Sequence, residues 1–126
     1  MSYRSRLSLV GLCALMGGSG VLHFVAPAPY RGIVPSPLRD HAAGVVALSG
    51  ACELVCAALL ALPRTRRLGA VATATLLVAV FPANVQMALD SGHAGAPLPS
   101  VGAVIAWLRL PLQAPLVLWA LRFRRP

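Results

Sequence analysis

The chain has 126 residues, of which 58% are hydrophobic and 11% charged, and its mean hydropathy is +0.77. It is too apolar for a soluble domain of this size. The net charge of +8 would fit a nucleic-acid partner, but the placement of the arginines points to a lipid surface instead.

Four apolar runs approach the roughly 20 residues that a helix needs to cross a bilayer: 7–26, 42–62, 68–89 and 101–121. The connections between them are short, so residues 1–126 read as one unit. The expected fold class is all-α, an integral membrane four-helix bundle. If the spans alternate, Arg4, Arg6, Arg64, Arg66, Arg67, Arg122, Arg124 and Arg125 fall on one side, and only Arg31 and Arg39 on the other. Positive charge stays on the cytoplasmic side, which places both termini inside and the arginines against anionic headgroups. The bilayer is the expected partner, with no role for nucleic acid.

The first span contains Gly11, Gly17, Gly18 and Gly20, small residues that let a neighbouring helix approach closely. Its basic start and the Val25-Ala26-Pro27-Ala28 sequence loosely imitate a cleavable leader. The apolar stretch is longer than a typical leader's, so it reads as a retained span. Ser19 and His23 stand one turn apart on one face, with His23 near the outer end, where water can solvate it. The outer connection 27–41 carries Pro27, Pro29, Pro35 and Pro37, which are expected to exclude regular helix from most of it. It also carries Tyr30, Ile33, Val34 and Leu38, and so is expected to fold back over the mouth of the bundle.

In the second span Ser49, Cys52, Glu53 and Cys56 share a face. The short link 63–67 makes spans two and three antiparallel neighbours. Pro82 is expected to kink the third span and to free the carbonyl of Val78, close to Asn84. The second outer connection, 90–100, is a Gly/Pro-rich loop with His93. In the fourth span Arg109 and Gln113 are one turn apart, and Pro111 and Pro115 are expected to loosen the helix around them. Trp119 and Phe123 fit the cytoplasmic interface.

Glu53 and Arg109 stand inside apolar runs. A charge carried into hydrocarbon costs roughly 2.5 kcal/mol or more, so such residues normally pair and mark a working site. Measured from the outer span ends, Glu53 lies about 16 Å deep, Gln113 about 18 Å, Arg109 about 12 Å, Asn84 about 8 Å and His23 about 5 Å. An ion pair between Glu53 and Arg109 is therefore expected, as is one outward-opening cavity lined by all five. The residues would act as ligand-binding groups or proton partners, and no catalytic residue is assigned.

Cys13, Cys52 and Cys56 lie within apolar runs and read as small core residues. No Cys-x-x-Cys pair occurs, which counts against dithiol exchange. The histidines His23, His41 and His93 are scattered, so no metal or haem site is expected. Phosphate loops and dinucleotide fingerprints are also missing from the sequence. Eleven arginines and no lysine, with heavy Ala, Gly and Pro use, match the codon bias of a GC-rich bacterial genome.

The polar residues and prolines also form a recognisable series. It runs His23-Phe24, Pro27-x-x-Tyr30-x-x-Ile33-Val34-Pro35, Ser49-Gly50-x-x-Glu53, Pro63-Arg64-Thr65-Arg66-Arg67, Phe81-Pro82-Ala83-Asn84 and Arg109-Leu110-Pro111-Leu112-Gln113. In this order and spacing, over nearly its whole length, the chain resembles the DoxX-like family of small bacterial four-helix membrane proteins. That family takes its name from a subunit of a thiosulfate:quinone or quinol-oxidising membrane complex. Some relatives are tied to thiol redox homeostasis or to the maturation of other proteins. The resemblance implies an accessory subunit of a redox system in the bacterial plasma membrane, without catalytic activity of its own. It also implies a quinone as the candidate cofactor and another membrane redox subunit as partner. A membrane-protein assembly factor and a small-solute carrier are the alternative expectations.

Overall fold

A computed structural model describes residues 1–32, 34–91 and 101–125. Ile33 and the stretch 92–100, with His93, fall outside the described residues. The described residues are helical, with no strand among them. The long helices are α1 (Tyr3–Val25), α3 (Ala42–Ala61), α4 (Arg66–Ala79), α5 (Phe81–Ser91) and α6 (Val101–Leu121), and a short α2 (Ala28–Gly32) follows α1. Two 3-10 turns, Ser36–His41 and Arg122–Arg124, lead into α3 and out of α6. Three helical stretches among the described residues are long and apolar enough to cross a membrane: Tyr3–Val25, Ser36–Ala61 and Arg66–Gln86. Large apolar side chains point outward from all the long helices, among them Val10, Val55, Val78 and Leu118. An outer surface this apolar suits hydrocarbon rather than water.

The helices pack in chain order, α1 along α3, α3 along α4, and α4 with α5 along α6. Trp119 closes α6 back onto α1 by donating from Nε1 to Ser8 Oγ at 2.7 Å, with its ring in contact range of the Gly11 position. The tightest packing is in the arginine-rich half. Leu9, Leu12 and Met16 of α1, Cys56 and Leu60 of α3, Ala70 and Ala74 of α4, Ala120 of α6 and Phe123 form one buried cluster. Phe123 is thus a core residue rather than an interface anchor. The 3-10 turn after Leu121 swings its ring inward against α4. All three cysteines are free thiols, with Cys56 buried in the cluster and Cys13 packed against it.

The turn from α3 to α4 is built from side chains that satisfy the last carbonyls of α3. Thr65 Oγ1 donates to Leu59 O at 2.9 Å. Arg66 donates from Nε to Leu60 O at 3.0 Å and from Nη2 to Ala61 O at 3.3 Å. These are among the acceptors that a helix end leaves without an intrahelical donor, and a cation is favoured there. Gly69 lets the backbones close in, since a Cβ there would stand 2.6 Å from Leu60 N.

One expectation about the prolines is corrected. The segment 27–41 is largely helical. Pro29 sits in the first turn of α2 and Pro37 in the first turn of Ser36–His41, where the missing N–H costs nothing and the fixed φ suits a helix. α6 runs unbroken through Pro111 and Pro115. By contrast, the third apolar run does break near Pro82, though slightly earlier than expected: α4 ends at Ala79, Val80 forms the joint and α5 begins at Phe81.

Candidate functional site

The closest approach of α1 and α3 determines the site. Gly20 and Gly50 face each other so closely that a Cβ on Gly20 would stand 3.0 Å from Gly50 O. A Cβ on Gly50 would stand 2.6 Å from His23 Cβ and 2.9 Å from Phe24 Cε2. With no side chain at Gly50, the His23 ring lies across α3 and reaches Glu53 one turn further along. Nδ1 of His23 is 3.2 Å from Oε2 of Glu53, and both residues are buried, at 7% and 9% exposure.

The structure gives Glu53 a neighbour that the sequence did not pair with it. At ion-pair distance Glu53 meets His23, while Arg109 lies on the wall of the same cavity and acts on the carboxyl through its charge. The depth arithmetic placed Glu53 and His23 about 11 Å apart because it took the outer ends of the spans as level. They are staggered. In the register set by Gly20 against Gly50 and Gly17 against Ala57, α3 rises several residues beyond the end of α1. The segment 28–41 fills that step. Tyr30 stacks on the His23 ring with centroids 3.8 Å apart and planes 22° from parallel, and Val34 is buried beneath the turn. His23 is therefore roofed over rather than solvated at the membrane edge.

The His23 ring has a definite orientation. Nδ1 stands 2.7 Å from the backbone oxygen of Ser19, one turn back on α1. Two lone pairs would repel at that distance, so Nδ1 carries the hydrogen and donates it to Ser19 O. Glu53 Oε2 has no hydrogen-bond partner among the described residues. Ser19 also acts on this carboxyl through its side chain.

On the opposite wall the break between α4 and α5 is held by one side chain. Gln113, 8% exposed, donates from Nε2 to Leu77 O beside the break and accepts from Asn84 Nδ2 at 3.3 Å through Oε1. A carbonyl that the joint releases to a side chain is thus Leu77's, where the helix gives way at Val80. Asn84 and Gln113 consequently pin the broken helix to α6.

All five residues singled out from the sequence (His23, Glu53, Asn84, Arg109 and Gln113) line one cavity of about 470 Å³. Tyr30, Val34, Pro35 and Leu38 of the proline-rich segment line it too, as do Ser19 and Ser49. Its size falls in the range of small-molecule pockets. Among the described residues, no three His, Cys, Asp or Glu side chains come together to form a metal site. Sequence reasoning missed Tyr30 as a partner of His23. The cue was the short separation of the two residues across a turn, but ring stacking depends on how that turn folds.

A family model described as "Domain of unknown function (DUF8561)" matches residues 12–124. The chain belongs to that family. The matched stretch of this DUF8561 chain contains the site from Ser19 to Gln113 and α1 from Leu12 onward. No curated protein and no solved structure matches it.

Proposed function

We propose that the chain is a multi-pass protein of the bacterial plasma membrane. It has four spans (α1, α3, α4 with α5, and α6) and both termini in the cytoplasm. We further propose that it works as an accessory subunit of a membrane redox system. Its outer-half cavity then holds a quinone-type headgroup or a small organic acid beneath the proline-rich segment. Arg109 supplies the electrostatic anchor, while Glu53 and His23 exchange protons with the ligand. Asn84 and Gln113 maintain the broken helix that forms the far wall.

One observation carries this reading. A buried acid faces a cavity of ligand size with one oxygen unsatisfied, beside a histidine whose hydrogen is committed elsewhere. Ionisable groups at membrane depth mark ligand or proton pathways, and an unsatisfied buried acceptor is costly unless something fills it. The resemblance to DoxX-like proteins favours redox work over other uses of such a pocket. A second reading, as an assembly factor, draws on Gly18 and Gly44. Nothing lies within 4 Å of a Cβ at either position, so another membrane helix has room to pack there.

The test is a thermal-shift series on the purified protein with quinones, thiosulfate and small organic acids. A ligand of the folded state raises the unfolding temperature by mass action. Arg109→Lys keeps the charge but loses the planar fork, and should fold normally and respond less. If none of these compounds shifts the wild type, the cavity is scaffold and the assembly-factor reading takes precedence.

A further inference from the structure

Two helix faces that meet at one end of the bundle part at the other. On α1, Ser8, Gly11 and Leu15 share a face by helical spacing, and on α6 Trp119, Leu112 and Arg109 do the same. At the arginine-rich end these faces touch. Trp119 Nε1 donates to Ser8 Oγ at 2.7 Å, and the Trp119 ring stands 3.5 Å from where a Cβ on Gly11 would lie. Further along the same faces the contact is lost. Leu15, one turn beyond Gly11, is 44% exposed, and Leu112, two turns from Trp119, is 54% exposed. Arg109 is exposed as well. All three nonetheless line the cavity. Residues that are both cavity wall and outer surface form a rim, so among the described residues the cavity opens sideways between α1 and α6.

The side that faces water is built the other way. Tyr30 stacks on His23 with ring centroids 3.8 Å apart, and Val34 of the proline-rich segment is 3% exposed. Leu15 lies about 15 Å inward from the outer end of α1, at 1.5 Å per residue, and Leu112 lies about as deep on α6. At that depth the opening faces acyl chains, and its leucine rim matches them. The cavity accommodates a head of small-molecule size, and the open side lets a tail stay in lipid.

We propose that the cavity is entered from the bilayer, through the gap between α1 and α6, and that its ligand is a lipid-dissolved amphiphile with an apolar tail. The head passes Arg109 and comes to rest beneath the proline-rich segment, while the tail stays between Leu15 and Leu112. The proposal rests on reading the chain as membrane-spanning and the cavity as a ligand site. It favours a tailed, quinone-type molecule over a small water-borne acid.

The experiment places a nitroxide on Ser49→Cys, a position on the cavity wall. The full chain is reconstituted in lipid nanodiscs, with Cys13, Cys52 and Cys56 replaced by alanine. Collisions with oxygen, which concentrates in hydrocarbon, are compared with collisions with a neutral nickel chelate, which stays in water. The label should meet oxygen freely and the chelate scarcely. Leu112→Trp, which fills the rim, should remove most of the oxygen signal. Leu118→Trp, at a position 65% exposed and outside the cavity wall, should leave it unchanged. If the Ser49 variant does not fold, Val45→Cys on the same wall takes its place. Chelate collisions as frequent as those of oxygen overturn the side entrance, because the mouth is then open to water. A label that meets neither reagent overturns it too, as does an oxygen signal that Leu112→Trp leaves intact. A second arm follows thermal unfolding with a methoxylated benzoquinone carrying a decyl chain, or with the same ring on a short sulfonated chain that keeps it in water. Only the decyl form should raise the unfolding temperature, and equal shifts overturn the lipid route. If neither form acts while oxygen still reaches the label, the side entrance stands and the quinone reading of the cavity falls.

Discussion

Replacing Gly50 with Ala is the most discriminating test of how the site is built. The added Cβ would meet His23 Cβ at 2.6 Å, Phe24 Cε2 at 2.9 Å and Gly20 O at 3.2 Å. The atom next to the α1 backbone cannot rotate out of the way. To restore ordinary carbon contact near 3.5–4.0 Å, α1 must retreat from α3 by about 1 Å. Overpacking of this kind costs about 1–3 kcal/mol, and the alanine recovers up to about 1 kcal/mol of helix propensity. The net loss is then about 1–2 kcal/mol. The same substitution at Gly18, where nothing lies within 4 Å, keeps the propensity gain without the clash and should be neutral or stabilising. The assay is reversible unfolding of both variants in mixed micelles, alongside a readout of the Tyr30–His23 stack such as tyrosine fluorescence. Retreat of α1 should open the 3.2 Å His23–Glu53 contact to about 4 Å and disturb the stack. If Gly50→Ala is as stable as Gly18→Ala, the close crossing of α1 and α3 does not hold the site together.

Three further outcomes follow from the same geometry. His23→Ala should destabilise the fold by about 2–4 kcal/mol, because it removes a buried ring, its hydrogen bond to Ser19 O and its stack on Tyr30, and leaves a void beside Glu53. His23→Ala combined with Glu53→Gln should cost less than the two single losses added, and strict additivity in a double-mutant cycle would show that the two side chains are not coupled. Gln113→Leu should lower stability by about 1–3 kcal/mol by leaving Leu77 O and the Asn84 amide unmet, a larger loss than from Leu118→Ala on the exposed face of the same helix. Thermal unfolding of both variants would decide it, and the opposite ranking would refute the pinning role of Gln113. Reporter fusions at Pro126 should report a cytoplasmic C-terminus, and an extracytoplasmic signal would invert the proposed topology.

Much of the site was legible in the sequence because hydrocarbon makes polar residues conspicuous. Glu53, Arg109, Gln113 and Asn84 are exceptions within apolar stretches, and helical spacing assigned them to compatible faces. The choice of partner was not legible. That Glu53 meets His23 depends on the stagger between α1 and α3, which the Gly20–Gly50 crossing fixes over thirty residues of separation. Span ends read from composition say nothing about their relative height. The proline-rich segment was misread for a local reason. Proline bars the interior of a helix but suits its first turn, and the sequence does not show where such short helices begin. The break at Val80 was anticipated from Pro82, but the side chain that bridges it comes from α6 and could not be found by inspecting α4 or α5 alone.

The buried cluster of Leu12, Leu60, Ala70 and Ala120 lies in the half of the molecule away from the cavity. Stability and recognition are therefore carried by largely separate sets of residues along the same helices, with Met16 common to both. Changes at positions such as Val46, Val80 or Leu112 can alter the shape of the chamber without dismantling the end that holds the helices together. A scaffold divided in this way can diversify quickly: members of one family could share an unmistakable frame while receiving chemically different guests. Within such a family, the side chains facing Glu53 and Arg109 would be a better guide to what each member binds than overall similarity.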